Sequence, residues 1–262
     1  MDITGATALV TGANRGIGAA FLDELVARGA RKVYAAARDP LTLAAAGRRL
    51  GAVVTPLRLD VTDEQSIAAA AAAAPDVTLL VSNAGITALE PLASGEPATA
   101  QALMRVNALG PLDLMRAFAP GLIARKGGIV SILSVAALLP VASAPAYSAS
   151  KAAAMMFAQG LRAELGPHGV TVTLVYPGFV DTAMSTAFPF PKTPPQQIAA
   201  CALDGVAGGQ VNVFPDPFAR LVEDAIAQRG DRILSAPHGL LAELVTAFLA
   251  APGRPAAVRR EV

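Results

Sequence analysis

Tyr147 and Lys151 stand four residues apart in an Ala-rich stretch, Ala144 to Leu165, that reads as helical, so their side chains share one face of the helix. A tyrosine titrates near ~10, and an ammonium one turn away favours the tyrosinate. Such a pair can pass a proton to an oxygen on which negative charge develops. Ser134, at the end of the apolar run that begins at Gly128, supplies a second hydroxyl donor ahead of the pair. A different chemistry is written near the N-terminus, in Thr11-Gly12-Ala13-Asn14-Arg15-Gly16-Ile17-Gly18. There, glycines allow a tight turn and close backbone approach to a pyrophosphate, and the helix that follows, Ala19 to Arg28, offers its N-terminal N–H groups to phosphates. Taken singly, each feature has an ordinary alternative: a Gly-rich turn, a packed helix tyrosine, a solvated lysine, a strand-end serine.

The elements that must position these residues alternate from the start of the chain. Ala6 to Thr11, Lys32 to Ala37, Val53 to Leu59, Val77 to Ser82, Gly128 to Ser134 and Val170 to Tyr176 read as strands, apolar enough to be covered on both faces. Between them lie crossover helices, one starting at Asp63-Glu64-Gln65, a long one over Ala98 to Arg125, and Ala144 to Leu165. Gln210 to Pro215 is expected to be the seventh and last strand. The pattern predicts a Rossmann-type α/β fold, a doubly wound parallel sheet with helices on both faces, in a single domain over residues 1–262. Thr182 to Pro195, rich in proline and carrying Phe188 and Phe190, reads as an irregular loop at the start of a substrate lid taken to run to about 209. An extension from about 216 to 262 follows, with helices over Phe218 to Gln228 and Leu240 to Ala250 and a tail from Ala251 expected to be disordered. It could add to a subunit contact or cover the pocket.

In its glycine spacing the chain resembles the short-chain dehydrogenases/reductases, which carry Thr-Gly-x-x-x-Gly-x-Gly after strand one. The likeness extends in order through Asn83-Ala84-Gly85 after strand four, Asn107 in the long helix, Ser134, Tyr147-x-x-x-Lys151 and Pro177-Gly178 after strand six, over about residues 5 to 215. It implies a nicotinamide-dependent oxidoreductase. Tyr147 would then protonate the carbonyl oxygen and Lys151 would hold the nicotinamide ribose. Ser134 would give the second hydrogen bond to the substrate oxygen. Asn107 would bend its helix and link Lys151 to solvent through water. The cofactor would lie along Thr11, Gly12, Asn14, Arg15, Gly16, Ile17 and Gly18, with Asp60 and Val61 at the adenine, Asn83, Ala84 and Gly85 beneath it, and Pro177, Gly178, Val180 and Thr182 near the nicotinamide. An acidic residue at the end of strand two would mark NAD; here Ala37 occupies that place, followed by Arg38. Arg38 and Arg15 resemble the basic pair of NADP-dependent members, whose 2′-phosphate suits a guanidinium fork. A one-residue shift would instead bring Asp39 to the ribose. The likeness also implies a homodimer or homotetramer assembled on the two long helices.

No charge interrupts Val135 to Ala146. With Phe179, Met184 and Phe188, this segment's Ala136, Leu138 and Val141 would line an apolar pocket beside Ser134 and Tyr147, for a small hydrophobic ketone or aldehyde. A reductase of β-ketoacyl groups on a carrier protein is the rival enzyme. Arg125-Lys126 could meet its acidic partner, but the second basic place reads Gly166-Pro167-His168-Gly169. A cofactor-binding sensor without chemistry is the rival of another class, and such proteins usually lose the tyrosine or lysine. The formal charge of +1 gives no excess for nucleic acid or an anionic membrane. The Ala runs are too short and weakly apolar to span a bilayer, and no secretory leader precedes the first strand. One cysteine, Cys201, excludes an internal disulfide, and His168 and His238 lack metal-ligand spacing. A soluble, cytoplasmic protein without a metal is expected.

Overall fold

β1 (Thr7–Thr11) is an inner strand of a seven-stranded parallel sheet, flanked by β2 (Lys32–Ala37) and β4 (Leu79–Ser82), with β3 (Val54–Arg58) beyond β2 on one side and β5 (Gly128–Ile132), β6 (Thr171–Val175) and β7 (Asn212–Val213) beyond β4 on the other. The order 3-2-1-4-5-6-7 reverses direction between β1 and β4, and that switch point is where open α/β sheets bind ligands. The computed structural model describes residues 1–235 and 237–251. Along the inner strands the side chains alternate between two cores, while the edge strand β3 leaves Pro56 and Arg58 exposed. Ala8, Val10, Val33, Ala35, Leu79 and Val81 face α1 (Gly16–Ala27) and α7 (Pro195–Ala207), while Leu9, Tyr34, Leu80, Ile129 and Leu174 face α5 (Gly110–Arg125) and α6 (Pro145–Leu165). Both faces are therefore dry, which is why the strands read as nearly unbroken apolar runs.

α2 (Ala44–Leu50) and α3 (Glu64–Ala73) complete the first half; Asp63 caps α3 by accepting from the Gln65 N–H at 2.9 Å. The stretch expected as one helix from Ala98 is broken: α4 (Pro97–Met104) passes into a π-helical turn over Arg105–Leu109 before α5. The lid requires a correction. Pro195–Ala207 is α7, whose Ile198, Ala199, Ala202 and Leu203 are fully buried, so the irregular part ends at Pro194 and the helix that follows packs one face into the core. Pro195 opens that helix at a position where a missing N–H costs nothing, so a proline there does not argue for a loop. The seventh strand is shorter than its apolar run because only Leu174 and Val175 are in register with it.

Two helices close the chain, α8 (Pro217–Ser235) and α9 (Pro237–Ala250). Phe218, Val222, Leu240, Leu244 and Phe248 join the core that also holds Val135, Leu139 and Tyr176, and Phe218 packs on Phe179. Of the tail expected to be disordered, all but Ala251 falls outside the described residues. Among the described residues no helix is long and apolar enough to cross a membrane.

Candidate active site

Thr11 joins the two sides of the switch point. Its hydroxyl accepts from the backbone N–H groups of Asn83 and Ala84, each at 2.9 Å, and Asn83 Nδ2 donates to the Thr11 carbonyl at 2.9 Å. The turn that follows has no room for side chains. A Cβ on Gly12 would lie 3.1 Å from Ala84 Cα, and one on Gly18 would run into the Gly12 carbonyl and stand 2.7 Å from Asn83 Nδ2. Gly12 and Gly16 also hold φ of 63° and 56°, which other residues adopt only at a cost. α1 starts at Gly16 with no side chain capping it and no acidic group in its first turn, leaving its positive end for an anion. Ile17 is half-buried, Asn14 and Arg15 are exposed on the turn, and Thr182 closes from the far side, its methyl 3.2 Å from where a Gly16 Cβ would be. The shape and donor set fit a dinucleotide pyrophosphate.

At the end of β2, Ala37 is buried and paired in register with Arg58, and Arg38 is the first exposed residue after it. Asp39 is already committed: its Oδ1 accepts from the Leu41 N–H at 3.0 Å and caps a short 3₁₀ turn, Pro40–Leu43. Asp60 likewise accepts from the Thr62 N–H and hydroxyl at 2.9 and 2.7 Å. The Thr62 hydroxyl chiefly, and the charges of Arg38 and Arg58 at longer range, hold its carboxyl below the usual range. Val61 is buried, with its carbonyl against Gly110. Arg58 escaped the sequence reading because only sheet register brings it beside Ala37.

Ser134 leaves β5 in extended conformation and starts a 3₁₀ turn, Val135–Ala137, its Oγ accepting from the Ala136 N–H at 3.1 Å. Across from it lies Tyr147. Burial pushes the tyrosine phenol above its ordinary value, and the facing Ser134 hydroxyl pulls it back. Lys151, 6 % exposed, donates from Nζ to the Ile132 carbonyl at 3.0 Å and lies 6.0 Å from the centre of the Tyr147 ring. Burial lowers it to about 8, so near neutral pH it remains a cation beneath the phenol.

Asn107 sits in the π-helical turn, buried, with Oδ1 accepting from the Ile86 N–H and Nδ2 donating to the Ile86 carbonyl, both at 2.9 Å. The same Nδ2 donates to Ser150 Oγ at 3.0 Å, and that hydroxyl donates to the Tyr147 carbonyl at 2.7 Å. The extra turn residue thus aims one amide at both the loop after β4 and the helix carrying Tyr147. Gly85 completes the arrangement: a Cβ there would be 3.1 Å from Asn107 Oδ1 and 3.6 Å from Lys151 Nζ. Gly85 thus lies against both side chains.

Of the expected pocket residues, Ala136 is buried in the 3₁₀ turn, Leu138 packs on the core, and Val141 is tied to α6 by its N–H to Ser148 Oγ at 2.9 Å. Phe179 is the hub of a ring cluster, with centroids 5.8 Å from Phe188, 4.7 Å from Phe190 and 4.9 Å from Phe218. Met184 is not brought into it and stays exposed. Pro177 is buried, as is Val180, beside the half-buried Gly178.

A phosphate cradle at a topological switch point, with a tyrosine, lysine and serine set beside it, defines a dinucleotide-dependent oxidoreductase. Residues 6–190 match the family model for short chain dehydrogenases, and the chain belongs to the short-chain dehydrogenase/reductase family. A short chain dehydrogenase from Burkholderia cenocepacia, solved in complex with NADP, is 39 % identical, with a TM-score of 0.85 over 94 % of this chain and 100 % of that one. A member from Burkholderia phymatum, in complex with NAD, is 26 % identical with a TM-score of 0.77 over 87 % of this chain and 96 % of the other. The 3-oxoacyl-(acyl-carrier-protein) reductase of Vibrio cholerae serotype O1 is 35 % identical over 192 residues, 71 % of this chain and 78 % of its own length.

Proposed function

We propose that this chain is an NADPH-dependent reductase that transfers hydride to the carbonyl of a hydrophobic ketone or aldehyde, with the reverse alcohol oxidation open to the same site. The observation that carries the reading is the Tyr147 phenol facing the Ser134 hydroxyl, with the buried Lys151 ammonium 6.0 Å from its ring centre. A reduced nicotinamide bound along that cradle supplies the hydride. Ser134 and Tyr147 hold the carbonyl oxygen by two hydrogen bonds that strengthen as it becomes an alkoxide. Tyr147, kept protonated by burial, gives its proton to that oxygen, and the product is the alcohol. Lys151 stabilises the tyrosinate left behind, and Gly85, which lies against both Lys151 and Asn107, keeps a side chain out of the path by which water would resupply the proton. The uncharged Val135 to Ala146 segment and the Phe179 cluster favour an apolar substrate.

NADPH oxidation with a panel of hydrophobic ketones, aldehydes and diketones tests this reading. Tyr147→Phe should reduce turnover by about 10²- to 10⁴-fold, the usual contribution of a positioned proton donor, while cofactor affinity stays unchanged. Reduction at the native rate by that variant would sink the mechanism. The identity with the Vibrio cholerae enzyme favours, as a second reading, a β-ketoacyl thioester on a carrier protein. Against it, the Arg125 guanidinium donates to the Gly121 carbonyl of its own helix. Comparing a free β-keto ester with its carrier-linked counterpart separates the two.

A further inference from the structure

Asp216 follows the last strand, beyond the residues the family model matches, and is 1 % exposed. Its two carboxylate oxygens serve different elements. Oδ1 accepts from the Ala219 N–H at 2.9 Å and so caps α8. Oδ2 accepts from the Gly178 N–H at 2.7 Å, reaching back to the turn after β6. The fit is tight, since a Cβ on Gly178 would lie 2.8 Å from Oδ1 and 2.9 Å from the Phe218 ring. Phe218 in turn packs between Phe179 and Phe248, tying the same turn to α9 with centroids 4.9 and 5.2 Å apart.

A helix cap needs one oxygen, and a serine or asparagine supplies it without taking a charge out of water. Burial pushes this carboxyl above the usual range, and the N–H groups of Gly178, Ala219 and Phe218, with the charge of Arg220, pull it back. The oxygen that the cap does not use is spent on Gly178.

We propose that Asp216 is a positioning residue: from the start of α8 it fixes the Pro177–Gly178 turn against the nicotinamide half of the cofactor, so the C-terminal helix pair sets where that ring lies as well as covering the substrate. The inference rests on the nicotinamide reading of the site. Asp216→Ser separates it from simple capping, because serine still caps α8 but is too short to reach Gly178. In the full-length chain this variant should bind NADPH about tenfold to a hundredfold more weakly, the loss of one charge-assisted hydrogen bond, and kcat should fall with it. 2′-Phospho-ADP-ribose, which lacks only the nicotinamide, should bind it as it binds the native chain. If the serine variant does not fold, Asp216→Asn, which keeps the length and the cap, is read by the same two titrations. Native NADPH affinity and kcat in the variant overturn the positioning role alone, and so does equal weakening of both ligands, which marks a general structural loss. Failure of the native chain to bind NADPH brings down the cofactor reading, and this inference with it.

Discussion

Arg38 provides the sharpest test of the proposed cofactor assignment, because it is the first exposed residue after β2. Ala37 ends β2, Asp39 is turned away to cap the next 3₁₀ turn, and Asp60 is occupied by Thr62. Among the described residues no salt bridge joins Arg38 to either aspartate. A hydrogen bond to a charged group contributes about 1.5–3 kcal/mol, so Arg38→Ala should lower kcat/KM for NADPH by about tenfold to a hundredfold. NADH, with no phosphate to lose, should be nearly unaffected. Ala37→Asp/Arg38→Ile goes further, adding a carboxylate that repels the phosphate and accepts from ribose hydroxyls, and should reverse the preference. Arg58, in register beside Ala37, and Arg15 across the turn would retain part of the phosphate affinity, so residual NADPH activity is expected. The assay is kcat/KM for both cofactors at one saturating carbonyl concentration. A native preference for NADH, or an unchanged ratio in the double variant, would refute the assignment of the end of β2.

Lys151 titrates near 8 in the folded chain against 10.5 for the free side chain, so between those values the unfolded chain binds more protons and stability rises with pH. Below about 8 the burial penalty is present in full. In urea unfolding without cofactor, the stability of the native chain relative to Lys151→Met should therefore climb by up to about 1.4 kcal/mol per pH unit across that window; a flat difference would contradict the burial argument. Gly85→Ala would press a methyl against Asn107 Oδ1 and beside Lys151 Nζ, and kcat should drop at least severalfold while the KM for NADPH holds, as steady-state kinetics would show. Met156 on α6 and Leu109 just before α5 are exposed, 61 % and 38 % accessible, and Leu112 and Phe157 are only partly buried, so a homodimer or homotetramer on the two long helices is expected. Light scattering at micromolar concentration should return twice or four times the chain mass, and a monomer would exclude it.

What the sequence made legible is what short-range spacing encodes. The glycine turn must follow β1, and Tyr147 and Lys151 must share a helical face, so both could be placed before any coordinate was known. Asn107 was found by its place in a motif that implied a bend in its helix; that the bend is a π-helical turn whose amide meets Ile86 and Ser150 is visible only in the fold, because such a turn has no hydrophobic period of its own. Pro195 misled for a physical reason already given: a proline favours a helix start as readily as it ends one. The C-terminal helices were visible as helices, but the same apolar face would serve a subunit contact or a cover. The packing of Phe218 on Phe179 shows where the start of α8 lies, which no local pattern reveals. Asp216 lies furthest from sequence reading, since nothing about an aspartate before a proline announces a partner 38 residues upstream. Its meaning arises from the sheet, which brings the ends of β6 and β7 side by side, so that one buried carboxylate can hold the start of a helix and a catalytic-site turn at once. Residues that carry chemistry are constrained by local geometry and leave local patterns. Those that position them act across the fold, and their signal is a buried charge whose second oxygen has no local use.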